Sequence, residues 1–476
     1  MKGIEDHNTK IVATVGPKSN SFEVLSGLVE AGVDIFRLNF SHGTHEDHLK
    51  VINHIVRIND EMETNVGILA DLQGPKLRVG VIKNNELLLE KDDIITFVNE
   101  PCEGTKESIY MSYQQLAQDV KPGEVILVDD GKIKLEVVET NGIDTVKLKV
   151  LFGGVLSSKK GVNLPNTNVS LPALTDKDLE DLDFILTQPV NWIALSFVRS
   201  PEDLDMLRKK IANRHPAKIL SKIEKPEAIA QIEEIIKKSD GIMIARGDLA
   251  VEMPFEELPL MQKNIIRICR KWAKPVIVAT QMMETMVTNL TPSRPEVTDV
   301  ANAVLDGADA VMLSNETAMG AHPVRVVETM AKIIGTVESN QLFELASPGV
   351  TAESETYESD VICAQAVEVA KNIRAKAIIG MTVSGYTAFK VSSHRPKLKI
   401  YIFSSQAHIL ATLNLVWGVK GFYYDKYSST DDSIDDAINI LKQAGEIKKG
   451  DFVVNIGSMP LKKRLRTNML KFTQVE

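Results

Sequence analysis

The sequence predicts an α/β protein: a (β/α)8 TIM barrel carrying an inserted, β-barrel-like lid domain and followed by a C-terminal doubly wound α/β domain. Three observations predict it. Short β-branched apolar segments alternate with amphipathic helical stretches from the start of the chain up to Asn340, the pattern of parallel strands covered by helices. One of these units is interrupted by a long stretch with turn signals and no long helical period. The alternation then resumes beyond a polar, acidic segment.

In chain order, the predicted barrel strands lie at residues 10–16, 34–41, 66–72, 191–197, 218–224, 241–248, 275–281 and 310–314. A helix-like segment follows almost every one, and eight such units close a barrel. The interruption runs from Val79 to about Ser170 and is punctuated by Asn84-Asn85, Lys121-Pro122-Gly123, Asp129-Asp130-Gly131 and Asn141-Gly142, which read as turns between short strands. An insertion at the carboxyl end of the third strand sits over the face where barrels build their sites and can act as a lid. Residues 347–360 read as a linker. Beyond it come a helix at 361–374, strands at 375–383 and 398–404, helices at 407–417 and 432–444, and a strand at 451–456. The expected domains are residues 1–74 with 171–344, residues 75–170, and residues 345–476.

With 44% hydrophobic and 25% charged residues in 476, the composition is that of a folded globular protein of two or three domains. A net charge of −9 speaks against a general nucleic-acid or membrane surface and leaves room for local phosphate sites. Cys102, Cys269 and Cys363 are far apart, so neither a disulfide framework nor a zinc site is expected. The first residues lack a signal-peptide core and no apolar run is long enough to span a bilayer, so a cytoplasmic location is expected.

Polar side chains gather at the strand ends. Arg37, Asn39 and Ser41 alternate with apolar residues in RLNFSHG and face one side; an inward arginine there needs an anion or a carboxylate partner. In DLQGPKLRVG a strand ends in Asp71 and the chain turns through Gly74-Pro75, while Lys76 and Arg78 read by themselves as solvated charges. Lys222 and Glu224 alternate in SKIEKPEAI and Asp248 ends the strand of IARGDLAVE. These two carboxylates can converge on a hard divalent cation, with the lysine neutralising a phosphoryl group. A buried Lys222–Glu224 ion pair stands beside that reading. Thr280, Ser314 and Glu316, at the ends of the last two strands, can pass a proton or serve as packing and caps.

SKIEKPEAI, IARGDL, TQMMETM and DVANAVLDGADAVMLSNETA, in this order around a barrel interrupted after its third strand, resemble the pyruvate kinase family over essentially the whole chain. The resemblance implies phosphoryl transfer from phosphoenolpyruvate to ADP, giving pyruvate and ATP. It implies that Arg37 holds the substrate phosphate, Lys222 steadies the phosphoryl group in transfer, and Glu224 and Asp248 ligate Mg2+, or Mn2+ in its place. A second Mg2+ arrives with the nucleotide. Gly247 and Asp248 offer backbone to the pyruvate carboxylate, and Thr280 lies near the methylene carbon, with Ser314 and Glu316 as a relay. Asn39, Arg78 and Lys160 are implied nucleotide contacts. Such a transfer needs positioning and charge neutralisation more than covalent chemistry.

Many pyruvate kinases hold a K+ ion at groups matching Asn39, Ser41, Asp71 and the backbone of Leu72, with a glutamate where this chain has Lys76. The segment here resembles the K+-independent branch, in which a fixed ammonium at Lys76 replaces the ion, so activity without K+ is expected. In the C-terminal domain, Thr382, Ser384, Gly385 and Thr387 of TVSGYTA resemble a loop that cradles a phosphorylated effector; an ordinary strand–turn–helix cap is the other reading. Lys462, Lys463, Arg464 and Arg466 near the end depart from the small glycine-bearing loop common there and read as a solvated face. The family also implies a homotetramer. Two other classes remain in view: a different Mg2+-dependent barrel acting on phosphoenolpyruvate or pyruvate, and a non-catalytic metabolite sensor.

Overall fold

A computed structural model describes residues 7–167, 169–340, 345–426, 429–459 and 466–476. Eight parallel strands close on themselves: β1 (Lys10–Thr14), β2 (Ile35–Asn39), β3 (Gly67–Asp71), β4 (Trp192–Leu195), β5 (Lys218–Ile223), β6 (Gly241–Ala245), β7 (Val276–Ala279) and β8 (Ala310–Leu313). Each falls inside a predicted segment, but several predicted ends run too far. The strand expected to reach Asp248 stops at Ala245, because Arg246–Glu252 is a short helix and places Asp248 in its first turn. The one expected to reach Gln281 stops at Ala279, because Thr280 and Gln281 turn into left-handed backbone (φ 71° and 54°). Ser41 likewise lies past the end of β2, with its amide on Asn39 Oδ1 at 3.1 Å.

Strand alternation sorts side chains into two layers. Val12, Ile35, Leu69, Trp192, Leu220, Met243, Ile277 and Ala310 fill the barrel interior. Their neighbours Ile11, Phe36, Ile68, Ile219 and Ile242 pack outward against the helices. Those helices start and stop where local chemistry dictates. Phe22–Ala31 begins at Ser21, whose hydroxyl accepts from Val24 N, and ends at Gly32 in left-handed conformation (φ 115°), a backbone state that favours glycine. Thr44 and Thr175 open two further helices with reciprocal capping boxes.

The insertion after β3 is a separate β-rich body with a six-stranded sheet, a two-stranded sheet and its own apolar core around Ile95, Phe97, Leu135 and Leu148. The expected turns at Asn84-Asn85, Asp129–Gly131 and Gly142 all have positive φ. The body rests on the barrel: Asn163 Nδ2 donates to Glu252 Oε1 at 2.8 Å, and Arg199 donates to the carbonyls of Val169 and Leu171 at 2.6 and 2.5 Å.

The C-terminal sheet has five strands, four parallel and one antiparallel at the edge. Its two faces are covered by separate cores, one carried by helices Tyr357–Asn372, Tyr386–Ser393 and Ala407–Leu413, the other by Thr430–Gln443. Three corrections arise here. The expected linker ends at Thr356, since its acidic end, Glu358 and Asp360, forms the first helical turn, where negative charge suits the helix dipole. Strands Val419–Tyr423 and Met469–Gln474 were not expected, and helix Tyr386–Ser393, whose start both readings of TVSGYTA imply, carried no expected bounds. The helix expected over 407–417 ends at Leu413, and Leu415 beyond it joins the interior cluster of the barrel.

Candidate active site

The apolar interior of the barrel gives way to charge at the carboxyl ends of the strands. The parity that buries Val12, Ile35, Leu69 and Leu220 directs Thr14, Arg37, Asp71 and Lys222 into the same mouth. Parallel register brings them level, with Thr14 opposite Arg37 and Asn39 opposite Asp71.

Asp71 is the hub. Its side chain is 1% exposed, and Arg37 approaches Oδ2 through Nε at 2.7 Å and NH2 at 2.6 Å, while Lys222 Nζ lies 3.3 Å from Oδ1. Arg37 NH1 also donates to Thr14 Oγ1 at 3.0 Å. Lys222 reaches Glu224 Oε1 at 3.0 Å and Ser196 Oγ at 2.7 Å. Burial opposes the charge on Asp71, but Lys222 and Arg37 outweigh it and hold the carboxyl below its usual range. Burial also works against the ammonium of Lys222, yet Asp71 and Glu224 keep it above the usual lysine value. Both groups therefore stay ionised at neutral pH.

Glu224 behaves differently. Burial, and then the negative charge of Asp248, push its carboxyl up against the pull of Lys222. Its other oxygen, Oε2, accepts from Phe197 N at 2.7 Å, and Phe197 itself has left-handed backbone (φ 56°). A buried carboxylate whose charge a neighbouring carboxylate disfavours, on a rim of oxygen donors, suits a hard divalent cation. No group of three or more acidic, histidine or cysteine side chains is placed to hold a metal among the described residues. A metal here would thus take two protein carboxylates and complete its shell from substrate and water.

Asp248 has a second neighbour. Lys76 Nζ lies 3.4 Å from its Oδ1, so the ammonium's hydrogen bond goes to Asp248 and not to Asn39, Ser41 or Asp71. The carbonyl of Leu72 accepts from Ser196 Oγ at 2.7 Å. The Lys222–Glu224 ion pair weighed as an alternative is formed, and it lies within the charged cluster instead of standing apart from it.

Thr280 Oγ1 accepts from Gly247 N at 2.8 Å and donates to the carbonyl of Ala279 at 2.6 Å. Glu316 is fully buried; its two oxygens take Met283 N at 3.1 Å and Ser314 N at 2.7 Å, and burial raises its carboxyl above the usual range. Arg78 and Lys160 both belong to the insertion side. Arg78 NH1 donates to Lys159 O at 3.0 Å, and Lys160 Nζ pairs with Asp129 at 2.8 Å.

Several residues escaped the sequence reading. Arg246 forms a two-pronged pair with Asp299, both contacts at 2.7 Å, and donates to the carbonyls of Ala279 and Thr280 at 3.2 and 2.8 Å. Thr14 and Ser196 bridge the charged cluster. Lys225 and Asn163 share Glu252 Oε1 at 2.5 and 2.8 Å. Only strand parity hinted at Thr14 and Ser196.

In the C-terminal domain, Thr382 Oγ1 accepts from Gly385 N at 2.9 Å, and Gly385 (φ 82°) opens helix Tyr386–Ser393. Thr387 Oγ1 pairs with Thr467 Oγ1 at 2.8 Å, and Ser384 Oγ takes Tyr386 N at 3.5 Å. Arg466 donates to Glu355 O at 2.6 Å, whereas Lys462, Lys463 and Arg464 lie outside the described residues.

Comparison with known proteins bears on the same site. The family described as "Pyruvate kinase, barrel domain" matches residues 6–327, and "Pyruvate kinase, alpha/beta domain" matches residues 360–473. A curated pyruvate kinase of Agrobacterium vitis is 42% identical over 471 residues, covering 98% of each chain. Pyruvate kinase 2 of Synechocystis is 44% identical over 453 residues, 94% of this chain and 76% of its own. The crystal structure of a pyruvate kinase from Cryptosporidium parvum superposes with a TM-score of 0.92 at 34% identity, covering 99% of this chain and 97% of that one.

Proposed function

The chain belongs to the pyruvate kinase family and transfers the phosphoryl group of phosphoenolpyruvate to ADP, and we propose that Arg37, Lys222, Glu224, Asp248 and Thr280 carry the step. The observation that supports this assignment best is the pair of cations, Arg37 and Lys222, gripped by one buried carboxylate, Asp71. Held there, neither has to reorganise when a phosphoryl group enters between them, which is what stabilisation of a loose transition state requires.

Arg37 binds the phosphate of phosphoenolpyruvate, and Lys222 follows the negative charge as the bond to the enol oxygen breaks and the bond to ADP forms. The amides of Asp248 and of Gly247, the latter turning from its bond to Thr280 Oγ1, receive the carboxylate. Glu224 and Asp248 hold Mg2+, or Mn2+, which supplies charge neutralisation at the substrate oxygens. Thr280 stands by the carbon that gains a proton, and Glu316 orients Ser314 through its amide as part of the relay. Asn39, Arg78 and Lys160 meet the nucleotide, the last two as the insertion settles over the mouth.

Lys76 places a fixed ammonium beside Asp248, and this supports a reaction that proceeds without K+, leaving Asn39, Ser41, Asp71 and Leu72 as a monovalent site that is not needed. The loop of Thr382, Ser384, Gly385 and Thr387 takes a phosphorylated effector at its helix start. Exposed apolar residues on the barrel's outer helices, Phe255 and Leu260 at 79% and 72% exposure, suit a homotetramer with barrel-to-barrel contacts. The working compartment is the cytoplasm; no described helix is long and apolar enough to cross a membrane.

The test is pyruvate release from phosphoenolpyruvate and ADP with Mg2+ in buffer free of K+ and Na+, repeated after adding KCl. Strong turnover before KCl is the expected result. Turnover only after KCl would remove the Lys76 reading, and silence in both would remove the site assignment.

A further inference from the structure

The chain crosses between barrel and insertion twice, and core membership marks both crossings. Going in, Leu72 packs in the barrel core and Leu77 in the core of the insertion; coming out, Leu171 packs against the insertion core and Leu174 in that of the barrel. Gly74 lies in the first crossing. Its backbone is left-handed (φ 68°), and a Cβ there would come within 2.8 Å of Ser196 Cβ and 2.9 Å of Phe197 Cδ2. The entering chain is thus pressed against the loop after β4, where only glycine fits.

One carboxylate reaches both crossings. Asp178 Oδ1 accepts from Gly74 N at 3.0 Å, 104 residues earlier in the chain, and Oδ2 accepts from Thr175 N at 2.8 Å and Thr175 Oγ1 at 2.6 Å. Helix capping explains only the second oxygen. Asp47 makes the same box with Thr44 through Oδ2 alone, at an exposed helix start, whereas Asp178 is fully buried. A buried carboxylate is costly unless donors surround it. Those of Asp178 are two amides and a hydroxyl, since the adjacent Lys177 turns to Asp181 and the carbonyl of Phe40. Hydrogen bonds to an ionised acceptor are the strong kind, so both crossings are bound to one point at the start of helix Asp176–Ile185.

Other contacts between the two bodies are of a different kind. Asn163 meets Glu252, Lys76 meets Asp248, and Arg199 meets the carbonyls of Val169 and Leu171. Asn163, Lys76 and Arg199 are all half-buried, and water can replace their partners as the insertion turns. Freeing Gly74 or Thr175 would instead strip donors from a buried charge, at the full desolvation cost.

We propose that Asp178 is the hinge pin of the insertion: it holds the entering and leaving chains on one carboxylate, and so sets the path by which the insertion brings Arg78 and Lys160 to the nucleotide. It is a positioning residue and touches no substrate. The inference rests on the reading that those two cations meet ADP. Phosphoenolpyruvate is held by groups of the barrel, so a loosened pin should weaken ADP alone, because a ligand binds more weakly in proportion as its competent state is less populated.

The test is Asp178→Asn in the full chain, since a carboxamide keeps the shape but offers an acceptor to one crossing only. The KM for ADP should rise about fivefold or more while the KM for phosphoenolpyruvate stays within about twofold, and hydrogen exchange should quicken at Gly74 or at Thr175. Thr175→Val, which removes the hydroxyl's bond and keeps both amides, should show the same split at smaller size, and it decides the question if Asp178→Asn does not fold. An unchanged KM for ADP, equal rises in both constants, or unchanged exchange at both crossings overturns the inference. Lys160→Met, measured beside them, tells two failures apart: a raised KM for ADP there keeps the nucleotide reading and leaves only the pin refuted, whereas no rise removes the nucleotide reading as well.

Discussion

Arg246 faces Asp299 across 53 residues of sequence with two guanidinium–carboxylate contacts of 2.7 Å each. From that anchor it also grips the carbonyl of Thr280, while the Thr280 hydroxyl holds Gly247 N. The turn after β7 and the helix start bearing Asp248 are therefore tied into one unit by a residue that need not touch substrate.

Arg246 is accordingly a positioning residue. Arg246→Met should lower kcat by about 10²-fold, the usual consequence of a misplacement near 1 Å, with the KM for phosphoenolpyruvate raised through the displaced Gly247 amide. Arg246→Lys should restore only part of it, because an ammonium cannot reproduce the fork. Steady-state kinetics of both variants check this; an unchanged kcat in Arg246→Met would show the pair to be structural alone.

The Lys76–Asp248 contact of 3.4 Å makes a second expectation. Lys76→Glu exchanges an attractive charge for a repulsive one beside a proposed metal ligand, and both side chains remain partly solvated, at 33% and 28% exposure. Turnover in K+-free buffer should fall on the order of 10²-fold, the scale of losing one electrostatic stabiliser, and recover in part with KCl. A variant that stays fully active and indifferent to K+ would show that the ammonium substitutes for nothing.

The sequence made the barrel and much of its rim legible for a physical reason. Strand alternation is a local pattern, and it places Arg37, Lys222 and Asp71 on the interior side without any knowledge of their partners. Arg246–Asp299 was not legible, since a pair so distant in sequence leaves no periodic trace. The start of helix Tyr386–Ser393 was legible at TVSGYTA but its extent was not, because YTAFKVSS mixes aromatic, β-branched and serine residues of modest helix propensity, and tertiary packing of Ala388 and Val391 overrides it. The strand ends were misjudged at Thr280 because positive φ at a β-branched residue has no sequence signal.

Asp71 predicts a dependence on pH. Lys222 and Arg37 hold its folded-state carboxyl below the ordinary 3.8 despite burial. A depressed carboxyl contributes stability that is present above the unfolded value and lost as pH falls through the folded one. The Tm advantage of wild type over Asp71→Asn should thus be level from neutral pH down to about pH 5 and shrink below pH 4. Calorimetry across that range decides it; an advantage that vanishes already at neutral pH would mean that Asp71 is not held by the two cations.

Thr280 separates the two halves of the reaction. A β-branched residue in left-handed backbone (φ 71°) is a strained arrangement costing about 1–3 kcal/mol, sustained here by the hydroxyl's bonds to Gly247 N and Ala279 O and by Arg246 on its carbonyl. Strain kept in place beside the proposed proton-receiving carbon points to the hydroxyl, since the methyl group has no such partners. Thr280→Ser should keep most of the activity, whereas Thr280→Val should lose about 10²-fold or more, the range of a positioned proton-transfer group. The loss should fall mainly on protonation: exchange of the pyruvate methyl protons with solvent should drop far more than phosphoenolpyruvate binding. Equal losses in exchange and binding would instead assign Thr280 to holding the Gly247 amide, with the proton delivered from Ser314 or from water.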